Sequence, residues 1–156
     1  MLVVAVMLGV GVGCGSSSDE TGPSVTKAQF VKKANVICAD FKGKRLAAAE
    51  EEFNPKQREG SHAVGSPATK ALEAELEELG EELLQKEIVP SLESEQDALE
   101  ALGAPEGDDE KIEAMMASME KGISELEGVG FQGLAGNQFD PFEKEATEYG
   151  LKCKVI

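Results

Sequence analysis

The feature that most restricts how this chain can fold is the placement of its three cysteines, Cys14, Cys38 and Cys153. Cys38 and Cys153 bracket most of the charged sequence, so joining them obliges an early segment and the last residues to meet. Their spacing is wrong for a CxxC redox pair. The chain has one histidine and no further cysteines, so it does not suggest a zinc site either. In an oxidising compartment such a pair persists as a disulfide. Whether 38 and 153 pair with each other depends on what Cys14 does.

Cys14 ends an unbroken run of apolar and glycine residues from Leu2 to Gly13 and is followed by Gly15-Ser16-Ser17-Ser18. An apolar stretch of about 7–15 residues ending in small residues has the proportions of a secretory signal core. It falls short of the roughly 20 residues that a membrane-spanning helix needs. The order resembles a bacterial lipoprotein export signal, in which the cysteine becomes the lipid-bearing first residue. That assignment divides the chain into a signal peptide over 1–13, a lipidated cysteine and flexible spacer over 14–25, and a helical domain over 26–156. Gly13 fits the pattern before the cysteine and Gly11 does not. No Lys or Arg precedes the apolar run, as expected if the start was assigned too far downstream. An ordinary signal peptide leaving Cys14 as a free thiol, and a chain kept in the cytoplasm, are the alternatives. With Cys14 lipidated, the protein sits on the extracytoplasmic face of the cell membrane, and Cys38 and Cys153 are left as a pair. A bridge between them closes a loop worth about 4–5 kcal/mol in the chain-entropy model.

The formal net charge is −15, from 30 acidic and 15 basic residues. Such a surface repels nucleic acid and anionic headgroups, and it favours a protein or cell-envelope partner with a basic surface. It equally serves solubility outside the cell.

Helical periodicity dominates the rest. Thr26 and Gln29 form a capping-box pattern, and Phe30, Ala34, Ile37 and Phe41 follow at helical spacing, with Val31 and Cys38 beside them. Asn54-Pro55 is expected to stop this first helix, and 54–67 reads as a loop containing His62, a surface residue with nothing to pair with. A second helix opens near Ala68 with a heptad-like leucine seam, Leu72, Leu76, Leu79 and Leu83, opposite a glutamate-rich face that reads as solvated. Pro90 is expected to kink or split it, with Leu92, Leu99 and Leu102 continuing to Gly103-Ala104-Pro105. Asp108 or Asp109 can cap a third helix carrying Ile112, Met115, Met116, Met119, Ile123 and Leu126. Its methionines suit core filling. Met115, Met116 and Met119 are also the candidate lining of an adaptable ligand cavity, but copper lacks the accompanying His or Cys. Gly128, Gly130 and Gly133 match GxGxxG in letters only, since a helix precedes them where a nucleotide site needs a strand. Asp140-Pro141 opens a last helix with Phe142, Ala146 and Tyr149, ended by Gly150. No strand is expected, and Trp is absent, so the fold class is all-α: a bundle of about four helices around an aliphatic core, closed by one disulfide.

The stretches 26–41, 101–115 and 142–155 resemble small secreted or lipid-anchored helical proteins of unknown function common in actinobacteria. Ala34, Ile37 and Cys38 match an "Ala-x-x-Ile-Cys" context, Leu102–Pro105 a Leu-Gly/Pro-Ala-Pro turn, and Tyr149–Cys153 a "Tyr-Gly-Leu-x-x-Cys" end. The resemblance implies the disulfide and the location and carries no catalytic or binding residue.

There is no Gly-x-Ser-x-Gly elbow, no His-Glu-x-x-His and no partnered histidine, so the expected function is non-enzymatic, with no cofactor and no metal. The leading expectation is an acidic helical interaction module on a lipid anchor; the second is a small-molecule or ion carrier using a cavity between helices. Replacing Cys14 with Ser should release the domain from membranes in a fractionation experiment. Continued tight association overturns the anchor.

Overall fold

A computed structural model describes residues 25–59 and 67–155. The expected signal, Cys14, the spacer up to residue 24 and His62 lie outside the described residues. Those residues form an all-helical bundle with no strand. None of their helices is long and apolar enough to cross a membrane.

Helix α1 spans Lys27–Glu59. Its start is the expected capping box: the Thr26 N–H donates to Gln29 Oε1 at 3.0 Å and the Gln29 N–H to Thr26 Oγ1 at 3.3 Å. Phe30, Ala34 and Cys38 are buried at intervals of four, whereas Ile37 and Phe41 are only partly covered. The expected stop at Asn54-Pro55 is overridden, because the helix continues through Pro55 to Glu59. An interior proline costs a helix about 3 kcal/mol. Here good helix formers lie on both sides, Ala47–Glu52 before and Lys56–Glu59 after, and they carry the helix across.

Helix α2 spans Pro67–Leu83, and α3 spans Val89–Glu100. Between them Leu84–Ile88 form a π-helical turn, in which the Val89 N–H reaches back to the Leu84 carbonyl. Pro90, in the first turn of α3, has no N–H to continue the α ladder, and the widened turn just before it is the expected split. The leucine seam is less covered than its spacing suggests. Leu83 and Leu84 are buried, but Leu72, Leu76 and Leu79 are half-exposed.

Helix α4 spans Asp109–Val129 and buries Ile112, Met115, Met116, Met119, Ile123 and Leu126 along one stripe. Asp108 occupies the N-cap position, but its carboxylate makes no cap hydrogen bond. It accepts instead from Lys111 Nζ at 2.5 Å and from the Tyr149 hydroxyl at 2.9 Å. Burial and Asp108 together push the Tyr149 phenol up to about 12. A 3₁₀ turn at Phe131–Ala135 leads to α5, Asp140–Tyr149. Gly150 ends α5 at φ 106°, a left-handed conformation that a side chain would strain, and its N–H and that of Leu151 both return to the Ala146 carbonyl. The Phe30 and Tyr149 rings meet edge to face at 5.8 Å, which ties α5 to the start of α1. α4 packs on α3 and α5, and α1 on α2 and α3.

The last residues, 151–155, run without helix. Leu151, Cys153 and Val155 point inward while Lys152 and Lys154 are exposed, the alternation of a strand. Side chains take the place of a strand partner. Asn35 Oδ1 accepts the Lys152 N–H at 2.6 Å, and Glu143 Oε1 accepts the Val155 N–H at 3.1 Å. Cys38 and Cys153 form the expected disulfide, with Cα atoms 5.1 Å apart and a sequence separation of 115. Replacing either cysteine with serine should lower stability by about 4–5 kcal/mol in denaturant unfolding. The double replacement should cost little more, and additive losses would mean that the two do not act as one link.

Candidate functional site

A cleft with mostly apolar walls opens on one side of the bundle. It encloses about 610 Å³ between α1, α2 and the 3₁₀ turn, with Val155 of the tail on its floor. Leu46 and Ala49 form the α1 wall, Leu76 and Leu83 the α2 wall, and Ile88 continues the latter through the π turn. Leu46 is 45% exposed and forms an apolar lip. Glu73 and Glu77, one helical turn apart on α2, border the opening.

The third wall, Phe131, Gln132 and Leu134, is held by specific contacts with α2. A Cβ at Gly80 would stand 2.4 Å from the Phe131 ring, so only glycine lets the ring approach the helix backbone this closely. The next residue, Glu81, accepts the Phe131 N–H at 2.7 Å, and Glu77 accepts from Gln132 Nε2 at 3.3 Å. The glycine-rich segment that matches a nucleotide-loop pattern in letters therefore serves to lay an aromatic ring against α2.

Beneath the cleft lies a buried ion pair. Arg45 is 4% exposed and Glu95 1%. Arg45 Nη1 donates to Glu95 Oε2 at 2.6 Å and reaches Ser91 Oγ at 3.4 Å. Its Nε and Nη2 both donate to the Val155 carbonyl, at 3.1 and 3.0 Å. The guanidinium thus borders the floor with its hydrogen bonds spent on α3 and the tail. Burial pushes the Glu95 carboxyl above its ordinary range, and the neighbouring Arg45 charge and hydrogen bond pull it partly back.

Glu95 also lies beside Cys38 and Cys153, with ligand atoms all within 4.8 Å of one another. The two sulfurs are bonded to each other. Metal sites use thiolates, so the disulfide takes this trio out of the donor set.

The candidate lining residues Met115, Met116 and Met119 are not in the cleft. Met115 and Met119 are 1% and 0% exposed, within the core, and Met116 borders only a smaller, acidic cavity between α3 and α4. The α4 stripe faces inward against α3 and α5, so its thioethers fill core rather than a groove. Arg45, which borders the cleft floor, and Glu95, which holds it from beneath, are both marked in the sequence. Arg45 falls seven residues after Cys38, on the buried stripe of α1, and Glu95 falls between Leu92 and Leu99 on that of α3. Two opposite charges, each on an apolar face, are the signature of a buried pair.

Arg45→Met strands the Glu95 carboxyl and should lower stability by about 3–5 kcal/mol in urea unfolding. Adding Glu95→Leu should recover part of that loss, whereas a further additive loss would show that the two side chains are not coupled. No protein-family model, no curated protein and no solved structure matches the chain, so the cleft is read from its own residues.

Proposed function

We propose that this protein is a non-enzymatic binding module, held at the extracytoplasmic face of the cell membrane by lipid on Cys14, and that it takes an apolar ligand into the cleft between α1, α2 and the 3₁₀ turn. The observation that carries this reading is apolar surface left open where the helical pattern would bury it. Leu46 is 45% exposed, and Leu76, which lines the same cleft, is only partly buried. Apolar surface kept in water forgoes about 25 cal/mol for every Å², and an occupant recovers it.

Of the two forms of binding that the sequence leaves open, the cleft favours carriage of a small molecule over a flat protein contact. Its volume of about 610 Å³ lies in the range of about 300–1,000 Å³ usual for small-molecule sites. The walls are fixed by the Gly80–Phe131 contact and the floor by Arg45 and the tail, so the site is largely formed before a ligand arrives. The acidic surface elsewhere, including the trough along α3 and α4 bordered by Glu93, Asp97, Glu120 and Glu127, keeps the domain soluble and suits a basic neighbour in the envelope.

The neutral apolar dye Nile red should gain fluorescence on binding the purified chain. Leu46→Glu and Leu76→Glu each place a charge in the cleft, and each should weaken dye binding about tenfold or more. Neither position is core, so the circular dichroism of the helices should persist. Dye binding unchanged in both variants would remove the cleft from consideration.

A further inference from the structure

The cleft is chemically two-ended. Its interior is apolar, formed by Leu76, Leu83, Ile88, Phe131, Leu134 and Val155, and the one cation among the described residues that line it, Arg45, is committed to Glu95 and the Val155 carbonyl. Its mouth carries the carboxylates of Glu73 and Glu77. The geometry points to a single-chain cationic amphiphile as the ligand class: an aliphatic body inside the cleft and an ammonium group at Glu73 and Glu77. This rests on the reading of the cleft as the binding site and adds to it the charge and the direction of the ligand.

Three features carry the assignment. An ammonium presents three donors and no acceptor, which suits a pair of carboxylates one helical turn apart. A carboxylate or phosphate headgroup would be pressed against those same groups and meet a chain of net charge −15. The surrounding field also raises the local concentration of cations before contact. Finally, the volume of about 610 Å³ is that of a small-molecule pocket.

The test titrates the purified, disulfide-bonded chain with dodecylammonium, dodecanol and dodecanoate by calorimetry, each below its micelle concentration. Dodecylammonium should bind about tenfold or more tightly than dodecanol, and dodecanoate weakest. Glu73→Gln/Glu77→Gln should abolish the ammonium advantage, and because a glutamine amide oxygen at position 77 can still accept from Gln132 Nε2, dodecanol binding should stay within about twofold. Glu110→Gln/Glu113→Gln on α4 removes the same net charge away from the cleft and should keep the advantage. Equal binding of the ammonium and the alcohol, or an advantage lost equally in both double variants, overturns the cationic assignment while the cleft reading stands. Binding of none of the three chains overturns both.

Discussion

Residues 151–155 have no sheet to join and no helix to extend, yet Leu151, Cys153 and Val155 are buried at 2–3% exposure. What holds them is a clamp from α1. The disulfide at Cys38 takes Cys153, and two turns further along the same helix Arg45 takes the Val155 carbonyl through two donors. The covalent bond fixes position and the guanidinium fixes depth. α3 enters through Glu95, whose carboxylate neutralises the cation that the tail requires. Three otherwise separate parts of the chain are thereby committed to one arrangement, and the cleft floor is a product of it.

The buried pair and the open cleft are complementary uses of polarity. A charge taken out of water is costly, and its partner repays that cost only when geometry is good and the remaining donors are satisfied. Arg45 meets both conditions, with donors to Glu95, Ser91 and Val155. The result is a floor whose polar demands are met from below, leaving the space above to apolar contact. At the mouth the balance reverses. Glu73 and Glu77 remain exposed, so charge stands at the rim, in water, and apolar surface stands within.

Features set by residues close in sequence were legible before any coordinates. The Thr26–Gln29 box, the break before Pro90 and the Gly150 stop depend on a few neighbouring atoms and stand as the residues suggest, whereas α5 opens at Asp140-Pro141 with Phe139, not Asp140, in the cap position and no side-chain cap bond. Asp108 was placed well but given the wrong work, because Lys111 and Tyr149 compete for its oxygens. Pro55 shows propensity losing to context, since helix formers on both sides outweigh one missing donor. The cleft was the least legible part. Periodicity says which residues share a face and not whether a neighbour covers it, so Leu72, Leu76 and Leu79 looked like a packed seam. The methionines suit core filling and are buried, with Met116 also at the edge of the smaller cavity, and the Gly80–Phe131 contact joins residues too far apart in sequence for any local pattern to announce.

The link from residue 38 to residue 153 also imposes an order on how the site comes into being. The helices of this bundle rest largely on local contacts, which form early, whereas a contact across 115 residues must wait for the chain ends to find each other. Val155 lies two residues past Cys153 and lines the cleft floor. A reduced chain can therefore have its helices and most of its core while the cleft is still unfinished at the base. Closing the base of the cleft is thereby tied to oxidation of the pair, so a reducing environment would open from below what the helices hold at the sides.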